Sequence, residues 1–183
     1  MTISGKEICD NSGKFDFKLN HLTMGADWRE IWKQNVIADS QLFEQIFQLI
    51  FSDDSRLAWH SCWIIDTASE EYPDLLISKI DEIISGLIST KNTSLKRHFT
   101  RILCRYQIPE EHLGSVVNRC YELLAPYEPA AVRVFAMQLL FNISLQHPDL
   151  KGELICVIET LMEEGGSAGF VNRAGKLLRQ LRP

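Results

Sequence analysis

An all-α chain of stacked helical hairpins is predicted by three features of the sequence. From about residue 39 onward, apolar residues recur at helical spacing and strand-like alternation is absent. A proline followed by an acid opens three of the apolar runs, at Tyr72-Pro73-Asp74, Ile108-Pro109-Glu110 and His147-Pro148-Asp149. A second pattern, led by arginine, recurs at Arg56, Arg97 and Arg133, which are 41 and then 36 residues apart. Periods of that size mark helical repeats, in which no single unit can bury its own apolar face.

Taken in order, residues 1–26 form an extended arm. Phe15, Phe17, Leu19 and His21 alternate with Lys14, Asp16, Lys18 and Asn20, a period of two. A lone strand is unstable in water, so the arm either caps the first hairpin with its two phenylalanines or pairs with another chain. Residues 27–183 carry the helical repeats. A short helix is expected near 27–37 and a second near 40–51, where Asp39 or Ser40 can cap the orphan amides. Phe43, Phe47 and Ile50 would line one face of that second helix.

Helices follow near 55–71, 74–89, 94–106, 110–125, 129–146, 149–163 and 169–181. Proline suits the first position of a helix, where its missing N–H has no intrahelical partner. The acid after it faces the positive end of the helix dipole. Seven residues beyond the three prolines stand Ile80, Val116 and Ile155, and fourteen beyond stand Leu87, Leu123 and Met162. Both offsets return to one helix face, the expected buried stripe. Short loops between helices imply antiparallel neighbours. Paired in order from the first, the helices give about four hairpins and a terminal helix, in a single domain spanning 1–183.

Composition narrows the function. The 183 residues are 45% hydrophobic and 23% charged, which suits a folded globular chain. No apolar run is long enough for a membrane span, and Lys6, Glu7 and Asp10 interrupt any secretory signal. The net charge of −5 opposes nonspecific phosphate binding. The five cysteines, Cys9, Cys62, Cys104, Cys120 and Cys156, are odd in number and form no C-x-x-C pair. They fit a reducing, cytoplasmic setting, with most of them acting as small hydrophobes. The sequons at Asn92 and Asn142 are then chance matches.

The stretch Val132-Arg133-x-x-Ala136-x-x-Leu139-Leu140 resembles the second half of a HEAT repeat. The proline-led helices before it fit the first half, and the likeness extends over about 39–181. Trp59 and Thr100 replace the small residue in the other two copies, and the expected Asp precedes only Arg56 clearly. These departures leave armadillo-type and other helical-hairpin folds open. The resemblance implies a right-handed α-α superhelix, or solenoid, used as a noncatalytic protein-binding scaffold.

One segment stands out for binding. Residues 91–106 hold Lys91, Lys96, Arg97, Arg101 and Arg105 and no acid. Arg97, Arg101 and Arg105 are four apart, so they form one ridge opposite Leu95, Phe99, Ile102, Leu103 and Tyr106. The ridge is neutralised either within the chain, by the ten acids against two bases of residues 39–90 (Asp66 and Glu70 among them), or by an acidic peptide or phosphate on a partner.

The alternative reading is a DNA-binding protein resembling the HEAT-like DNA alkylation-repair glycosylases. It is opposed by Asp81, Glu82, Glu122, Glu153 and Glu159 on helices that would face phosphate. Catalysis and cofactors are not expected. His60-x-Cys62 offers only two metal ligands, and His21, His98, His112 and His147 add no ligand spacing. Gly165-Gly166-Ser167-Ala168-Gly169 follows a helix and lacks the lysine of a phosphate loop, so Ser167 reads as a helix cap. Trp28 with Trp32, and Trp59 with Trp63, are four apart and are expected to pack in the core.

Overall fold

The computed structural model describes residues 26–182, with side chains from Glu30 onward. The extended arm over 1–26, with Phe15 and Phe17, therefore lies almost wholly outside the described residues. Among the described residues, nine α-helices account for the architecture and no strand occurs. They are α1 (Ala26–Ala38), α2 (Ser40–Leu49), α3 (Ser55–Glu71), α4 (Ile80–Ser89), α5 (Thr93–Leu103), α6 (Glu110–Glu122), α7 (Ala130–Gln146), α8 (Lys151–Glu163) and α9 (Ala168–Leu181). No described helix is long and apolar enough to cross a membrane. The chain divides into two compact units between Ser78 and Lys79.

In the first unit α1, α2 and α3 pack on one another. Asp39 caps α2 by accepting from the amides of Gln41 (2.9 Å) and Leu42 (3.0 Å). Asp54 caps α3 in the same way, through Arg56 (2.9 Å) and Leu57 (3.1 Å). The expected stripe of Phe43, Phe47 and Ile50 is buried, with the rings of Phe43 and Phe47 stacked. Trp32 is in the core at 1% exposure, but Trp59 is 37% exposed and its ring rests on that of His60. Periodicity alone does not separate these cases, because a helix edge and its buried centre differ by one residue's rotation.

The second unit consists of three antiparallel pairs, α4–α5, α6–α7 and α8–α9. Helices α5, α7 and α9 pack side by side as one layer, and α4 packs on α6 in the other. Each proline-led helix is thus the first member of its pair. In this unit the pairing expected from the sequence is shifted by one: α5 joins α4 and α9 joins α8.

The prolines do not all open α-helices directly. Pro109 is the residue before α6, but Pro73 and Pro148 open 3₁₀ segments, Pro73–Lys79 and Pro148–Leu150, that lead into α4 and α8. The expected stripe holds at Ile80, Leu87, Val116 and Leu123. In α8 it moves back one residue, to Leu154 and Leu161 with Ile158 between them.

Side chains satisfy carbonyls left open where helices end. Arg119 on α6 donates to the Leu87 carbonyl (3.1 Å) and the Thr90 carbonyl (2.8 Å) at the end of α4. Arg133, 7% exposed, donates to the Leu124 carbonyl just past α6 (2.9 Å) and lies 4.2 Å over the Phe170 ring. Across the α5–α7–α9 layer, Arg173 donates to Gln138, Gln138 to Asn142 (2.7 Å), and Asn142 to the Cys104 carbonyl (2.8 Å). All three donors in that series point the same way, so each bond polarises the next.

Candidate functional site

The cationic segment is built on α5. Asn92 starts the helix by accepting from the amides of Ser94 (2.9 Å) and Leu95 (3.3 Å). Leu95, Phe99, Ile102 and Leu103 are buried and hold one face of α5 in the unit. Thr100 is also buried, and its hydroxyl donates back to the Lys96 carbonyl at 2.7 Å, so the residue that replaces the usual small one is satisfied. That leaves Arg97 and Arg101 on the opposite, partly exposed side.

Arg105 corrects the sequence expectation of one helix over 94–106. The α-helix ends at Leu103, and Arg105 sits in the turn that follows. Its amide bonds three residues back, to the Ile102 carbonyl (2.9 Å), so the chain continues for one tighter turn. The Arg105 guanidinium folds along the helix to donate to the Arg101 carbonyl (3.3 Å). Arg97 donates to Nε2 of the buried His98 at 3.0 Å. All three arginines are of intermediate exposure.

Lys96 behaves differently from its neighbours. It is paired with Glu128, in the loop between α6 and α7, and the two side chains are only 12% and 8% exposed. Its neutralising acid therefore comes from a later loop and not from residues 39–90. Pro126 and Pro129 bracket Glu128, whose amide donates to the Ala125 carbonyl at 3.0 Å. The same loop presents Tyr127, 83% exposed, the most exposed large hydrophobic side chain described. Sequence reading treated these residues only as a loop; the pair of prolines three apart was the signal that the loop is rigid.

The other candidates resolve individually. Cys62 is fully buried and His60 is not part of any described group of three or more metal-ligating side chains. Cys120 is also buried, which pushes its thiol well above the usual range. Cys156 is exposed on α8, contrary to a packing role. Tyr121 is pushed up to about 12, first by burial and then by the Glu153 carboxylate. Ser167 caps α9, its hydroxyl accepting from the Phe170 amide at 3.3 Å, and Gly165 before it has a left-handed φ of 81°. Asn92 and Asn142, the sequon asparagines, both use their side chains structurally. A small pocket with room for about one water lies beside the end of α7, lined among others by Tyr106, Ile108, Leu139 and His147.

Paired helices in two layers, with a buried arginine near the start of α7, define a helical-repeat protein. The family model described as the HEAT repeat domain matches residues 15–181, and the chain belongs to that family. Neither a curated protein nor a solved structure gives a match.

Proposed function

We propose that the protein is a noncatalytic scaffold that holds an acidic segment of a partner protein along Arg97, Arg101 and Arg105. The observation that supports this is a run of three partly exposed arginines on and just after α5, in a segment without acids. The planar fork of arginine matches a carboxylate with two parallel hydrogen bonds. The mechanism is rigid presentation: α5 is capped by Asn92 and fixed by its buried face, so little conformational entropy is lost on association. The scattered, odd cysteine set suits work in the cytoplasm.

The test is affinity purification with the unaltered chain and with an Arg97→Glu, Arg101→Glu, Arg105→Glu variant, each checked by circular dichroism. The expected result is loss of the bound protein with helicity and melting temperature preserved. Unfolding of the variant would show that the arginines are neutralised within the chain, and an unchanged bound protein would move the binding surface elsewhere. A salt-sensitive shift of duplex DNA would favour the nucleic-acid reading instead.

A further inference from the structure

We infer that α9 supplies a receptor for the partner's acidic segment, in which Arg173 and Lys176 take its carboxylates and the side-chain amides of α7 hold Arg173 in place. The inference rests on the partner being acidic, as proposed above, but not on the arginines of α5.

Charge is sorted between the two helix layers of the second unit. Helices α5, α7 and α9, which pack side by side, contain no aspartate or glutamate. The acids that oppose phosphate, Asp81, Glu82, Glu122, Glu153 and Glu159, all stand on α4, α6 and α8. On α9 the buried stripe runs through Phe170, Ala174, Leu177 and Leu181, which turns the other side of the helix outward. Lys176 is exposed there, and Arg173, one turn earlier, is half-buried at the seam with α7. Among the described residues, neither is paired with a carboxylate.

Arg173 is positioned without being neutralised. It donates to the Gln138 side-chain oxygen, while the Gln138 nitrogen donates to Asn142 (2.7 Å) and Asn142 to the Cys104 carbonyl (2.8 Å). Both ends of the Gln138 amide are therefore fixed, and a neutral group restrains the guanidinium. An arriving carboxylate gains charge-assisted hydrogen bonds without first ordering a long side chain. Lys176 adds a second cation on the same face. Arg179 points elsewhere: a Cβ at Gly175 would lie 3.7 Å from its Nη1 and 3.9 Å from Cε of Met162 on α8, the side of α9 away from α7. A short acidic segment fits this restricted patch. A long polyanion running past it would meet the field of a chain whose net charge is −5.

Fluorescence anisotropy on the full chain tests this with a labelled short polyglutamate peptide, a polyglutamine control and a single-stranded DNA of equal charge. Polyglutamate is expected to bind and polyglutamine not to. Arg173→Glu with Lys176→Glu should weaken binding at least about tenfold, and Lys176→Glu alone, at an exposed position, about threefold with unchanged melting temperature. Lys151→Glu with Arg179→Glu alters the net charge equally and should stay within about twofold of the unaltered chain. Gln138→Leu keeps every charge yet should weaken binding about threefold through loss of placement. Equal losses in the two double variants, an unaffected Gln138→Leu variant, tighter binding of the DNA, or no peptide binding would overturn the inference. So would binding that survives the Arg173–Lys176 double change but is lost in Arg97→Glu, a result that leaves the α5 reading in place. The reverse pattern would support α9 as the receptor and overturn the α5 reading.

Discussion

Arg119 on α6 grips the end of α4 at two points, with Nη2 2.8 Å from the Thr90 carbonyl oxygen and Nε 3.1 Å from that of Leu87. Its third contact, Nη1 to Glu122 at 2.7 Å, keeps the guanidinium oriented. Two helix-end carbonyls of one hairpin thus depend on one side chain of the next. Arg119→Ala should destabilise the protein by about 2–3 kcal/mol, since hydrogen bonds from a charged donor are lost together. Arg119→Lys should recover less than half of that, because an ammonium cannot reproduce the planar fork. Urea denaturation of both variants measures it, and full recovery by lysine would show that charge alone matters.

The first unit should respond to pH through α1. Lys33 bridges Glu30 (2.8 Å) and Glu71 (2.7 Å), and these two hydrogen-bonding carboxylates hold its ammonium well above the ordinary value of 10.5. Glu30 is held below its ordinary 4.5, first by Lys33 and then by Gln34. A raised lysine contributes stability that is complete below about pH 10.5 and is lost as pH climbs toward its folded value. A lowered glutamate contributes above about pH 4.5 and loses that contribution on acidification. Melting temperature against pH should therefore fall more steeply at both extremes in the unaltered chain than in Lys33→Met. Parallel profiles would refute the bridge.

Thiol reactivity should rank by burial. In a Cys9→Ser background at neutral pH, Cys156 should be alkylated first and Cys104 more slowly. Cys62 and Cys120 should react only on unfolding, Cys120 doubly protected by exclusion of reagent and by a thiol kept protonated. Mass spectrometry of a labelling time course reads the order, and early labelling of Cys120 would contradict its placement.

Two glycines should respond to alanine with opposite signs. Gly114 lies within α6 with open space where a Cβ would go, so Gly114→Ala should stabilise by about 0.5–1 kcal/mol. Gly165 ends α8 with φ 81°, where a side chain is strained, and Gly165→Ala should cost about 1 kcal/mol. Paired thermal melts decide both signs.

Much of the fold was legible because its signals are local. Asp39 and Ser167 cap helices from the position just before them, and the apolar stripes follow from spacing within one helix. The hairpin pairing was misassigned because each helix has a short loop on both sides, and loop length alone does not choose between them. Trp59 was expected inside because tryptophan is a large apolar residue, yet it lies at a helix edge. In the candidate site, Arg97 and Arg101 were placed correctly on one side of α5. The end of α5 before Arg105 was not foreseen, since nothing in Leu103-Cys104-Arg105 breaks a helix. The Lys96–Glu128 pair joins residues 32 apart, a separation that helical spacing within one element does not reveal.

Two of the contacts that close helix ends in the second unit run from later residues to earlier ones: Arg119 reaches back to Thr90, and Asn142 back to Cys104. A nascent chain is made in the opposite sense, N-terminal end first. The α4–α5 hairpin therefore emerges from the ribosome before the side chains that close its helix ends have been synthesised. Its maturation must wait for about forty further residues, so translation order and assembly order are out of step in this half of the protein.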